Sequence, residues 1–417
     1  MKAITFDVSV PRYLLGKGFG RVSSSVFYGS LSGVRYGEVP DPVLPGPKWV
    51  KLEVLACGIC GTDIGVVTLS ASPILEPFGS FPAVIGHEIL ARVVEVGPEV
   101  TRVEPGQRVV VEPMISCRVR GYPEGDSCPS CEDGLPSTCE RGGEDGPLDM
   151  GGSAFAPGLT IGYHRDLPGG WGEATMAHES QLFGVDDGME DRAAVLIEPL
   201  SIGMHAVLRA PPRANESVLV LGAGPIGLGT VWALRATGFH GDLLVQDPRP
   251  EVEDIARLFG ATEVIRPGPE ARQALVDTGA MAYQPLVGPE VYSGGGFPLI
   301  YDCVGRKSSL EQALLYAAPR GRIVMLGCAA QVSRMDLTLL WARELDWKGF
   351  VGYGRERWQG EDRHTFEITQ ELIGAAGIPV DRMVTHAFPL SQYRDGLKAA
   401  IHRHRSGALK VIFRPDG

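Results

Sequence analysis

Ser217-Val218-Leu219-Val220-Leu221-Gly222-Ala223-Gly224-Pro225-Ile226-Gly227 decides how the second half of this chain folds. Ser217 to Leu221 reads as a strand buried on both faces. The glycines then follow the spacing G-x-G-x-x-G and open a helical stretch, Leu228 to Thr237, which ends at Gly238. The glycine spacing alone is weak, but a strand before it and a helix after it supply the confirming context. The first glycine permits a tight turn, the second lets backbone approach a pyrophosphate, and the third lets the helix pack on the strand. The helix N-terminus attracts phosphate. Gly222, Gly224, Pro225, Ile226 and Gly227 are therefore the expected dinucleotide contacts.

The next strand-like run, Asp242 to Asp247, ends on an acid 20 residues after Gly227. An acid there accepts hydrogen bonds from ribose hydroxyls and repels a 2′-phosphate, which favours NAD. Arg249, two residues on, would instead welcome that phosphate, so NADP stays the alternative. The alternation continues with strands at 261–265, 299–304 and 322–326 and helices at 270–277 and 308–317. Strands alternating with helices predict a parallel, doubly wound sheet with ligand at its carboxyl edge.

The first half has a different rhythm. Val50 to Leu55, Ile89 to Val96 and Gly106 to Val111 are short strands between glycine and proline turns, a pattern of antiparallel barrels and sandwiches. Gly16 to Gly33 reads as irregular, and Ile64 to Phe81 as loop with one helical turn. Cys57-Gly58-Ile59-Cys60-Gly61-Thr62-Asp63 ends the first strand, and Gly86-His87-Glu88 precedes the second. A thiolate, an imidazole and a carboxylate are ligands zinc accepts readily, and strand ends hold them rigidly. Taken singly, the Cys also suits an inert buried thiol and the His-Glu pair a surface site. Cys117, Cys128, Cys131 and Cys139 lie in a segment too rich in Gly and Pro for regular structure. Four thiolates make a closed tetrahedral site with no position for chemistry; two disulfides are the competing reading. Glu198, just before Pro199, suits a helix N-terminus by charge alone.

Gly58 to Asp63 followed by Gly86-His87-Glu88 resembles the zinc-dependent medium-chain dehydrogenases, the sorbitol and threonine dehydrogenase branch in particular. The resemblance covers nearly the whole chain. It implies a GroES-like antiparallel β-barrel catalytic domain at 1–200, with a structural-zinc lobe in it. A Rossmann domain at 201–350 and a return to the first domain over 351–417 complete the α/β architecture. It also implies catalytic zinc on Cys60, His87 and Glu88, with Glu198 beside it as a direct ligand or through water, and structural zinc on the four clustered cysteines. Leu326-Gly327-Cys328 would turn backbone to the nicotinamide. A secondary hydroxyl of a polyol, sugar or hydroxy amino acid would bind zinc and yield hydride to NAD(P), with Thr62 taking its proton. Zinc lowers the pKa of bound water from about 15.7 to about 7 and should act similarly on an alcohol.

The chain also departs from the family pattern. Gly65 stands where many relatives carry a relay His, Ala91 replaces a usual Gly, and ten residues separate Cys117 from Cys128. Extra length lies near the N-terminus, in the cysteine lobe and at residues 140–170. Trp171 reads as a pocket wall or as plain packing, and His205, Cys303 and Cys328 as core residues. A zinc-free reductase or a non-catalytic dinucleotide binder on the same fold is the alternative.

Composition narrows the field further. At 417 residues and 44% apolar content, the chain can bury two sizeable cores. It has no run of eighteen apolar residues and no signal-peptide pattern, which points to the cytoplasm. A net charge of −11 without a basic cluster argues against nucleic acid or an anionic membrane as partner. A small-molecule substrate and a homo-oligomer, dimer or tetramer, are expected.

Overall fold

The computed structural model describes residues 1–20, 22–328 and 331–416. Its second half contains a six-stranded parallel sheet, in the spatial order 263–265, 243–246, 218–221, 297–302, 317–325, 346–349. The first three strands grow outward in one direction and the last three in the other. The order therefore reverses between Val218–Leu221 and Phe297–Asp302, and the crevice beyond their carboxyl ends is where such sheets bind ligand. Val218 to Leu221 are all buried because helices cover both faces. This is the doubly wound sheet that the strand-helix alternation predicts.

In the first half, strands 182–184, 108–111, 88–96, 49–58, 410–414 and 384–389 line up in one sheet, with 174–178 joining Trp49–Gly58. All pairs are antiparallel except Val384–Pro389 with Lys410–Arg414, which the C-terminal segment contributes. A smaller sheet joins 34–38, 2–6 and 83–84. One apolar cluster runs from barrel residues such as Leu90 and Ile412 through helix Ile197–Arg209 to Val220 and Trp232. The two halves are thus joined by a continuous core. Helix Ile197–Arg209 lies directly on helix Pro225–Ala236, where a side chain at Gly203 would collide with the Gly229 backbone.

Two local expectations change. Residues 16–33 are not wholly irregular: Val10–Phe19 is a helix with Pro11 in its first turn, and Ser24–Phe27 is a 3₁₀ turn. Gly16 and Gly18 each lower helix propensity by about 1 kcal/mol. Gly16 packs closely on the end of the Leu69 side chain, which a β-carbon there would push aside. Residues 64–81 carry a helix over Gly61–Val67 and a 3₁₀ turn over Pro73–Phe78. Among the described residues no helix is long and apolar enough to cross a membrane.

Burial pulls the His164 and His178 imidazoles down to about 4, so both are neutral in the fold. The unfolded chain protonates them below about 6.5. Their contribution is therefore intact above pH 6.5 and is lost as pH falls towards 4, at up to about 1.4 kcal/mol per imidazole per pH unit. Urea midpoints at pH 7 and pH 5 should show this loss, and it should shrink in His178→Asn.

Candidate active site and metal centres

Strands Trp49–Gly58 and Glu88–Val96 pair so that Gly58 faces Glu88. The Glu88 carboxylate lies across Gly58, and a β-carbon at that position would overlap it. Two residues on, Cys60 caps helix Gly61–Val67, with Asp63 Oδ2 accepting the Cys60 N–H at 2.7 Å. Gly86 adopts φ +97, a conformation open to glycine, and its bare face meets the Trp171 indole. Trp171 is fully buried and donates Nε1–H to the Gly58 carbonyl at 3.1 Å. It packs behind the Gly58 and Gly86 turns and does not wall a pocket.

These turns bring ligand atoms of Cys60, His87 and Glu88 within 4.8 Å of one another. His87 Nδ1 faces Asp63 Oδ1 at 3.3 Å and the Tyr163 hydroxyl at 3.2 Å, which leaves Nε2 for a metal. Lys410 Nζ grips both Glu88 oxygens, at 2.5 and 2.7 Å, in a pair almost wholly removed from water. Glu198 sits in the first turn of helix Ile197–Arg209, the N-terminal position that its charge suits. Its Oε1 accepts the Tyr353 hydroxyl at 2.8 Å, while its Oε2 is buried with no partner. Burial pushes this carboxyl up to about 7. A sulfur, a nitrogen and a carboxylate that converge beside an orphaned buried oxygen suit a zinc ion.

Thr62 Oγ1 lies 3.7 Å from Cys60 Sγ and 3.7 Å from Cys328 Sγ. Cys328 is therefore an exposed thiol in the cleft, not the expected core residue. It lies beyond the end of strand Ala317–Met325, past the sheet edge, where the two halves face each other. Cys303 is half-buried and within 3.6 Å of the Thr230 hydroxyl. His205 packs inside the fold and pairs with Glu356 at 2.5 Å.

The four clustered cysteines are free thiols whose ligand atoms all lie within 4.8 Å of one another, Cys117 included despite its ten-residue gap. The Cys117–Cys139 and Cys128–Cys139 sulfur separations are 3.8 and 3.9 Å. A tetrahedron with Zn–S of 2.3 Å has an edge of about 3.8 Å. Backbone N–H groups of Cys128 and Glu140 point at the Cys117 and Cys128 sulfurs. The lobe fits one closed zinc site.

At the dinucleotide crevice Gly222 takes φ +93, Gly224 is open on its outer side, and a β-carbon on Gly227 would overlap the Gly222 carbonyl. Asp247 accepts the Ala223 N–H at 2.8 Å. Arg249 also grips it through Nε at 2.8 Å and Nη2 at 2.9 Å.

Sequence reasoning missed Lys410, Asp63, Tyr163 and Tyr353. A lysine inside the apolar run Lys410-Val411-Ile412-Phe413 was the available signal for the first; nothing local marks the tyrosines. Replacing Lys410 with Met leaves Glu88 without its buried cation. A lost partner of this kind costs roughly 3–5 kcal/mol, and urea unfolding followed by tryptophan fluorescence should record a loss of that size.

Two family models match the chain: the alcohol dehydrogenase GroES-like domain over residues 46–187 and the zinc-binding dehydrogenase domain over 225–365. L-idonate 5-dehydrogenase of Vitis vinifera is 29% identical, with 92% of this chain and 93% of that protein covered. Sorbitol dehydrogenase of Arabidopsis thaliana is 28% identical, with 92% and 93% covered. In fold, the chain resembles the alcohol dehydrogenase rspB of E. coli CFT073 complexed with NADH, at TM-score 0.68 and 24% identity over 91% of this chain and 95% of that one. The barrel, the doubly wound sheet and the two metal-suited clusters thus coincide with both matched domains, and the chain belongs to the zinc-type medium-chain dehydrogenase/reductase family, as an NAD(P)-dependent alcohol dehydrogenase.

Proposed function

We propose that this enzyme oxidises a secondary hydroxyl of a polyol or sugar acid, with NAD as the preferred acceptor, at a zinc centre held by Cys60, His87 and Glu88. The observation that carries this reading is the convergence of those three donors beside Thr62, which itself touches Cys328 from the dinucleotide-binding half. Relatives named for sorbitol and L-idonate support the substrate class. Bound zinc supplies Lewis-acid polarisation of the substrate oxygen. Cys60, His87 and Glu88 would hold it, and the unpartnered Glu198 Oε2 is available beside them. Lys410 offsets the charge that the carboxylates bring into the interior.

Thr62 Oγ1 takes the hydroxyl proton. Gly65 carries no side chain to pass it on. Gly222, Gly224, Pro225, Ile226 and Gly227 cradle the pyrophosphate. The backbone of Leu326, Gly327 and Cys328 faces the nicotinamide, and Asp247 reads the ribose. Arg249 already neutralises Asp247, so discrimination against a 2′-phosphate is incomplete. The four-cysteine lobe holds a second, structural zinc. The protein works in the cytoplasm as a homo-oligomer. The exposed edge strand Asp346–Gly349 and the exposed Trp341 supply a surface for self-association.

Metal analysis of the purified protein should give two zinc ions per chain. Cys60→Ser should hold one, bind the dinucleotide as the parent does and turn over no substrate; retained turnover would sink the assignment. A panel of polyols and sugar acids, followed by the absorbance of reduced nicotinamide, identifies the substrate. In the same assay Arg249→Met should shift the NADP-to-NAD preference about tenfold towards NAD, the equivalent of about 1.4 kcal/mol. An unchanged ratio would free Arg249 of any role in selection.

A further inference from the structure

The segment between the cysteine lobe and the barrel has its last turns tied to the candidate metal site. Gly169 N–H donates to the Val84 carbonyl and Gly170 N–H to the Gly86 carbonyl, both at 2.8 Å, on either side of Ile85 and immediately before His87. Gly162 packs so tightly on the Gly86 backbone that a β-carbon would collide with it. Between these anchors stands Tyr163, whose carbonyl accepts the Ser80 N–H at 2.9 Å. Its hydroxyl donates to Asp63 Oδ1 at 2.6 Å and lies 3.2 Å from His87 Nδ1.

We propose that Tyr163 is a positioning residue for the metal ligands, bridging Asp63 and His87 so as to fix the tautomer and orientation of His87. The proposal rests on the reading of His87 as a zinc ligand. Asp63 is fully buried, and its two oxygens serve both ligands: Oδ2 holds the Cys60 N–H at 2.7 Å, and Oδ1 faces His87 at 3.3 Å. That second contact is long for a hydrogen bond. The Tyr163 hydroxyl closes the triangle. Its proton goes to Asp63, so its lone pair is free to accept Nδ1–H. The imidazole proton is thus met by the hydroxyl, with the carboxylate behind it, on the side away from the metal, and the Nε2 lone pair is presented to the metal. Partners of this kind set ring orientation and ligand basicity, and losing one costs about 10–100-fold in metal affinity. The segment around Tyr163 therefore supports the candidate catalytic centre from behind.

The test uses the full chain loaded with two zinc ions, titrated with a chromophoric chelator. Tyr163→Phe keeps the ring and removes only the hydroxyl. It should weaken one zinc about tenfold and leave the cysteine-lobe zinc unchanged, which a general loss of structure would not do. With cobalt(II) in the weakened site, the visible ligand-field bands should shift. Asp63→Asn should weaken the same ion, and adding Tyr163→Phe to it should have little further effect, because the carboxylate is what orients the hydroxyl towards the imidazole. Parent-like affinity and parent-like bands in Tyr163→Phe would overturn the proposal, as would full additivity with Asp63→Asn. If the parent itself binds only one zinc, the assignment of His87 has failed instead.

Discussion

Everything at the reactive end of this molecule depends on a buried carboxylate being held beside a bare backbone. Glu88 lies over Gly58, and Lys410 clamps both of its oxygens. The three residues come from three adjacent strands of one sheet, so the ion pair sits where the strands meet. Desolvating a carboxylate and an ammonium costs several kcal/mol each, and their attraction offsets this only with close geometry and further hydrogen bonds. Contacts of 2.5 and 2.7 Å meet that condition. With the carboxylate fixed, the register that faces Gly58 with Glu88 also fixes where His87 and Cys60 emerge.

The site is assembled from loops, but each loop is tied to something rigid. Cys60 leaves a strand and caps a helix through Asp63, and His87 leaves the left-handed turn at Gly86, which is covered by Trp171. Asp63 accepts the Cys60 N–H on one oxygen and the Tyr163 hydroxyl on the other, which also lies 3.3 Å from His87 Nδ1. Across the cleft, Cys328 arrives from the parallel sheet and meets Thr62. The reactive residues of the barrel therefore face the crevice at the strand-order reversal, which is where a dinucleotide lies in such sheets. The helix that carries Glu198 bridges both halves, because its Gly203 allows backbone-close packing on the helix that follows the glycine turn.

Much of this could be read before any coordinates. Val218 to Leu221 announces a strand buried on both faces, and Gly222 to Gly227 a turn and helix start, because these constraints are local: backbone freedom, apolar run length and cap chemistry. Cys117 was legible as a lobe residue by its company, though its spacing obscured it. The N-terminal helix Val10–Phe19 was not legible. Its glycines lower intrinsic propensity, and the residues it lies against include Phe27 in the next turn and Leu69, much further along the chain. For Cys328 the position at the sheet edge was legible but the burial of its thiol was not, since an apolar neighbourhood in sequence does not reveal that the sulfur faces Thr62 across the cleft.

The amino-acid sequence by itself determined the two-part architecture, the dinucleotide turn and the identity of the metal-suited side chains, because each is encoded by residues close together along the chain. Only the tertiary structure decided which groups support them: Lys410 beneath Glu88, Tyr353 on Glu198, and Asp63 with Tyr163 behind His87. These partners are separated by up to 322 residues. Hydrogen bonds and ion pairs in the interior are set by three-dimensional proximity and by the cost of leaving a buried polar group unpaired. No local pattern of residues records either quantity.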